Sequence, residues 1–256
     1  MRENYEAEFY HPLIRDICRL LICFHINTKN HYITVVRLCL ENLANIRIAT
    51  TNYDLCIEQA VGYHRGDVLY WGDPTKIEDA DRSIRPVVPL IKPHGSVNFL
   101  PNIFRGGNIS GVHFLGTRFH GNKVDLDVDM IFADPPDVIR FLDEQDEYGS
   151  GISPAIAAYD STKRKMICPE RLLQIQREYD EAVLWAEEIV IVGLRVFPAD
   201  RHIWQPLSEC DADVRWFAGE KDEFADWKAG IAKENVYHAG GTFDEAIEFM
   251  KREVFL

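Results

Sequence analysis

The sequence predicts an α/β protein built on a doubly wound, mostly parallel sheet, and three observations carry that expectation. The first is the run Ile189-Val-Ile-Val-Gly-Leu194, bounded by Glu187-Glu188. An uninterrupted β-branched run is what a parallel strand buried on both faces requires. The second is the alternation of helical and strand-like stretches along the chain. The third is that three apolar runs end in unusually polar sequences: Thr50-Thr-Asn-Tyr-Asp54, Lys92-Pro-His-Gly-Ser-Val-Asn98 and Gly193-Leu-Arg-Val-Phe-Pro-Ala-Asp-Arg-His202. In an open parallel sheet, ligands bind outside the carboxyl ends of strands, so these ends are expected to form a polar site.

The elements follow in order. Apolar residues at 13, 14, 17, 20, 21 and 24 predict a helix from Leu13 to Phe24. Val35, Val36, Leu38, Leu40 and Leu43 predict a second from Tyr32 to Leu43. Asn45 to Thr51 is short and β-branched, a strand with a polar end. Asp54 to Ala60 is helical in character, with Asp54 at a cap or first-turn position. Pro86 to Ile91 is a strand whose two prolines push it toward an edge or a strand start.

From 102 to 158 the texture turns glycine-rich, alternating and acidic, which predicts an inserted smaller subdomain within a single 1–256 domain. Val112 to Gly116 and Val124 to Phe132 suggest a hairpin around His120-Gly-Asn-Lys123, and Asp143 to Gly151 reads as a mobile acidic loop. A helix from Leu172 to Glu187 leads into the apolar strand, and Asp213 to Ala218 and Asn235 to Ala239 are further strands. Thr242 and Glu245 make a capping box for a last helix to Lys251.

Composition excludes several classes. Lysine and arginine number 28 against 41 aspartates and glutamates, a net charge of −13 that disfavours contact with duplex nucleic acid or an anionic membrane. The six cysteines form no C-x-x-C pair and no zinc-ribbon spacing, so no metal is expected and reduced thiols are. The acidic start Met1-Arg-Glu-Asn-Tyr-Glu-Ala-Glu8 is unlike a secretory signal, and no apolar run approaches the roughly 18–20 residues of a membrane span. A soluble, cytoplasmic protein is the expectation.

The strand ends supply the chemistry of a polar ligand. Asn52 offers a donor and an acceptor, Asp54 accepts, and His94 can take a proton near neutral pH. Each also has a plain structural reading: Thr-Asn-x-Asp as a turn and cap, His-Gly as a turn, Asp200 as a helix N-cap, Gly193 as a strand terminator. Their combination in this order is the informative feature.

That combination resembles the sirtuin-like superfamily, in particular the zinc-free branch of prokaryotic defence proteins that hydrolyse NAD. "TTNYD" (50–54) is similar to the family's T-x-N-x-D segment, "KPHGSVNF" (92–99) to its K-x-H-G-S segment, and "EEIVIVGLRVFPADRHI" (187–203) to its strand, turn and downstream aspartate. The resemblance covers about residues 30–250 and implies a Rossmann-like fold. It implies an NAD glycohydrolase releasing nicotinamide and ADP-ribose, in antiviral (antiphage) defence, with a homo-oligomer or a defence-system protein as partner. It further implies that Asn52 and Asp54 face the nicotinamide ribose and amide, that His94 is the base, and that Asn52 orients ribose or water. Thr51, Gly95 and Ser96 would line the same NAD site, and Gly193 would give the adenosine half close backbone approach.

Two departures shape the expectation. No glycine precedes Thr50, where the family carries a glycine-rich strand and turn for the pyrophosphate. Arg195 stands where a small hydroxyl residue is usual; its guanidinium could pair with a phosphate or block the adenine ribose. The alternative is a catalytically degenerate nucleotide-binding or regulatory module of the same fold. A third reading, an interaction subunit, rests on Trp185, Trp204, Trp216 and Trp227 clustering in the C-terminal part.

Overall fold

The computed structural model describes residues 2–70, 85–102, 117–120, 123–126, 129–147, 152–157, 167–218 and 221–254. The protein is a mixed α/β chain with parallel sheets. It divides into two compact units: unit one holds residues 1–25, 51–55 and 92–175, and unit two holds residues 26–50, 56–91 and 176–256.

Unit two is the parallel α/β part. After the helix α1 (Arg2–Ile22) of unit one, its elements are α2 (His31–Glu41), β1 (Ile48–Ala49), α3 (Cys56–Tyr63), β2 (Asp67–Tyr70) and β3 (Val87–Ile91). After residue 176 follow β8 (Glu188–Val192), α6 (Arg201–Glu209), β9 (Asp213–Phe217), α7 (Lys221–Ala229), β10 (Val236–Gly240) and α8 (Phe243–Phe249). Among the described residues the strands form two parallel three-stranded sheets, ordered β1-β3-β2 and β10-β9-β8. Asn30 starts α2 by accepting the Tyr32 amide at 2.9 Å. The Thr242–Glu245 capping box starts α8, with the Glu245 amide on the Thr242 hydroxyl at 3.2 Å and the Thr242 amide on the Glu245 carboxylate at 2.9 Å.

The strand expected over Pro86 to Ile91 is β3, with Pro86 just before its start, but β3 is the central strand of its sheet and not an edge. Hydrogen bonds explain how. Pro86 O accepts from Asp67 N on the β2 side and Ile91 O accepts from Thr50 N on the β1 side, so odd residues of β3 face β1. Pro89 therefore faces β1, which pairs only with Leu90 and Ile91. The missing N–H falls where the neighbouring strand has not yet begun.

Among the described residues two clusters contribute to the core of unit two. Leu38, Phe217, Ala246, Ile247 and Met250 pack together with Val190 and Val192 against them. Trp204, Trp216 and Trp227 pack edge to face at centroid distances of 5.0–6.3 Å, with Phe224 and His238 joining them. Three of the four C-terminal tryptophans thus serve packing rather than an interaction patch. Trp185 is exposed, with the Arg47 guanidinium 4.7 Å above its ring.

Unit one comprises α1 (Arg2–Ile22), β4 (Phe99–Pro101), the hairpin β5 (Thr117–His120) and β6 (Lys123–Leu126), β7 (Met130–Phe132), α4 (Pro135–Glu147) and the first residues of α5 (Pro169–Trp185). The β5–β6 pair is antiparallel, while β7 pairs with β4 rather than joining the hairpin. Val112 to Gly116 lies outside the described residues. The apolar positions of α1 split onto two faces: Ile14, Cys18 and Ile22 are buried, whereas Leu13 and Leu20 are exposed. The buried set, spaced by four, packs with Val97, Leu100, Val138, Leu142 and Ile156.

The loop expected over Asp143 to Gly151 is helical as far as Glu147, since Asp143 to Glu147 are the last residues of α4, and residues 148–151 lie outside the described residues. Its charges are answered from α1: Arg15 Nε lies 2.6 Å from Asp146, and Arg19 lies 3.1 Å from Asp143 and 2.6 Å from Asp146. Burial nudges the Asp146 carboxyl upward, but hydrogen bonds from Arg15 and Arg19 prevail and hold it below the usual carboxylate range. A sequence that would repel itself as a loop is stable as a helix beside two guanidinium groups. Among the described residues no helix is long and apolar enough to cross a membrane.

Candidate functional site

Six of the eight site residues expected from sequence lie in unit one, on two segments, 51–55 and 92–99. Gly193 and Arg195 lie in unit two.

The 92–99 segment is shaped by a turn and then stitched to the backbone of 155–157. Gly95 N donates to Lys92 O at 2.9 Å, closing the turn, and Gly95 adopts φ of +81°. A Cβ at Gly95 would lie 2.0 Å from Ala155 O. Both the left-handed backbone and the close carbonyl exclude any other residue. The space beside the Gly95 Cα is filled by chain 155–156. Around it, Ser96 N donates to Ala155 O at 3.3 Å, Ala157 N to His94 O at 2.8 Å and Ala155 N to Phe99 O at 2.7 Å.

The 51–55 segment is tied to the same scaffold through the carbonyls of Tyr53 and Asp54 and the hydroxyl of Tyr53. Tyr53 O accepts Val97 N at 3.0 Å and the Ser96 hydroxyl at 3.2 Å. Lys92 Nζ donates to Asp54 O at 2.5 Å, and the Tyr53 hydroxyl donates to Ala157 O at 2.7 Å. The Tyr53 ring sits 6.3 Å from the His94 ring, tilted by 38°. Lys92, His94, Ser96 and Asn98 are all buried, Thr51 and Asp54 are half-buried, and Asn52 is exposed.

This arrangement has chemical content. His94 is buried, with its carbonyl held by Ala157 N and its ring beside Tyr53, and an imidazole can serve as a proton acceptor. The neighbouring segment offers an exposed amide, Asn52, and a half-buried carboxylate, Asp54, suited to hydroxyl and amide groups of a ligand. Ser96 is committed to Tyr53 O, so its hydroxyl positions the 51–55 segment.

Several contributors carry no sequence signal of their role. Lys92 is 1% exposed, and burying a lysine costs several kcal/mol unless it is hydrogen-bonded. It stands inside the quoted motif, yet only the structure reveals that it clamps Asp54 O. Residues 155–157 and their anchorage are also unmarked in sequence. His11 Nδ1 lies 3.1 Å from the Ser153 hydroxyl and Arg15 donates to Ile152 O at 2.9 Å, so α1 holds the segment that in turn holds 94–99. Burial, aided by the Arg15 charge, pushes the His11 imidazole down to about 4.

The third strand end is differently built. Gly193 follows β8 with φ of +68° and its amide on Phe217 O at 2.9 Å, but nothing lies within 4 Å of where a Cβ would be. Conformation alone calls for glycine there, and the open space leaves its backbone approachable. Arg195 is 74% exposed and forks onto Glu223, with Nε 3.0 Å from Oε1. That hydrogen bond holds the Glu223 carboxyl below its usual range. Asp200 is buried at the start of α6, but its side chain does not cap the helix; its carbonyl accepts Ile203 N at 2.8 Å and Trp204 N at 3.1 Å. No protein-family model and no curated protein matches the chain.

Proposed function

We propose that the protein is a sirtuin-like, Rossmann-type NAD glycohydrolase of the cytoplasm, acting in antiphage defence, with its catalytic corner on segments 51–55 and 92–99. The observation that carries this reading is the pairing of a buried, backbone-locked His94 with the outward Asn52 and half-buried Asp54 on a segment tied to the same scaffold.

The reaction needs little from the protein beyond orientation and charge. The bond between the ribose and nicotinamide breaks heterolytically; its electron pair leaves with nicotinamide, which becomes neutral, and positive charge develops on the sugar. The half-buried Asp54 carboxylate stabilises that charge. Asn52 orients a ribose hydroxyl or the attacking water, and His94 takes the proton that the water releases as its oxygen bonds to the sugar. The products are nicotinamide, ADP-ribose and one proton.

A second reading, a nucleotide-binding module without turnover, is favoured by one observation: Arg195, the candidate phosphate partner, is already answered by Glu223. Chromatography of NAD incubated with the purified protein separates the two. Nicotinamide and ADP-ribose in equal amounts are expected. Intact NAD with calorimetric binding would support the module, and neither turnover nor binding would overturn both readings.

A further inference from the structure

Cys18 and Cys39 are buried thiols pushed up to about 12 by desolvation, and such thiols are inert. Cys210 is built differently. It caps α6, with its amide on Pro206 O at 2.9 Å, and it is 5% exposed. Lys233 Nζ lies 3.2 Å from its sulfur and donates as well to its carbonyl. Among the described residues Lys233 has no carboxylate partner; both of its partners are atoms of Cys210.

The lysine is also held in register. Asn235 donates from Nδ2 to Asp211 O and to Ala212 O, both at 2.8 Å, and Asn235 O accepts Val214 N at 2.9 Å. The 233–235 turn is thereby fastened to the 210–212 turn, where β9 and β10 begin. Lys233 is half-buried, so the sulfur is one side chain away from solvent.

We propose that Cys210 and Lys233 form a peroxide-driven, thiol-reversible covalent modification site. The Cys210 sulfur attacks one oxygen of hydrogen peroxide; the O–O bond breaks and the other oxygen leaves as water, giving a sulfenic acid. The Lys233 amine, having given a proton to solvent, attacks that sulfur; the S–O bond breaks, the second oxygen leaves as water, and an S–N bond remains. Sulfur is oxidised by two electrons and peroxide is reduced to two waters. Two equivalents of an external thiol restore cysteine and lysine and become a disulfide.

The bond would close a loop from 210 to 233 and tie the starts of β9 and β10 together. The test is peptide mass spectrometry of the whole protein after brief peroxide treatment. Tryptic peptides 202–215 and 229–251 are expected joined, about 2 Da lighter than their sum, and separated again by a thiol reductant. The join must vanish in Lys233→Arg, which keeps the charge and the fold. Recovery of Cys210 as a free thiol or a sulfinic acid, with no joined peptide in the wild type, would overturn the proposal. So would an undiminished join to Cys210 in Lys233→Arg. An oxidised sample that melts about 5 °C higher and reverts on reduction is the accompanying expectation.

Discussion

Two strand ends of this protein carry a glycine with a left-handed backbone, and they are built on opposite plans. Gly95 sits in a segment buried from Lys92 to Pro101, with the Ala155 carbonyl occupying the position a side chain would need. Gly193 ends a strand with open space around it and an exposed arginine two residues on. Sequence makes these glycines look alike. Packing separates them: one is required by both backbone angle and crowding, the other by backbone angle alone.

The sharpest way to break that comparison is Gly95→Ala. Left-handed strain of about 1–2 kcal/mol adds to a clash that backbone must relieve, so a loss of more than about 4 kcal/mol, or failure to fold, is expected in denaturant titration. A loss equal to that of Gly193→Ala would contradict the crowding argument. Gly193→Ala itself should cost about 1 kcal/mol, the conformational part only.

Between them in size lies the acid sensitivity of the His11 anchor. His11 is held neutral, down to about 4 against an ordinary value of 6.5. The unfolded chain therefore binds more protons below pH 6.5, so stability is full above that pH and falls as pH drops toward 4. The loss is about 3 kcal/mol across this window, measured as the shift in urea midpoint between pH 7 and pH 4.5. His11→Gln should flatten this dependence at the expense of some stability at pH 7.

The smallest effect on stability concerns the second strand end. Glu223→Gln removes an exposed ion pair and should leave the melting temperature unchanged within error. If Arg195 binds a phosphate, the same variant should bind NAD severalfold more tightly in calorimetry, and Arg195→Ala more weakly.

The legibility of the fold followed its physics. Helix and strand periodicity marked α2, β8, β9, β10 and the capping box of α8 to within a few residues, because local patterning determines such elements. It found β3 but not its central place, and it missed that 143–147 is helical, because the deciding partners lie elsewhere: β1's late start excuses Pro89, and Arg15 and Arg19 neutralise the acids. The candidate site was legible as residue types, Asn52, Asp54 and His94, but not as construction. Nothing local in sequence connects His11 to Ser153, Tyr53 to Ala157, or Lys92 to Asp54, since such contacts span from 38 to 142 residues.

In the proposed function, the face of 51–55 beside His94 turns over NAD. The measurement that tests it is the rate of nicotinamide release by wild type and by Asn52→Ala, a substitution at an exposed side chain. A rate lowered by about a hundredfold or more at an unchanged melting temperature is the expected result. Equal release by both proteins would contradict the account.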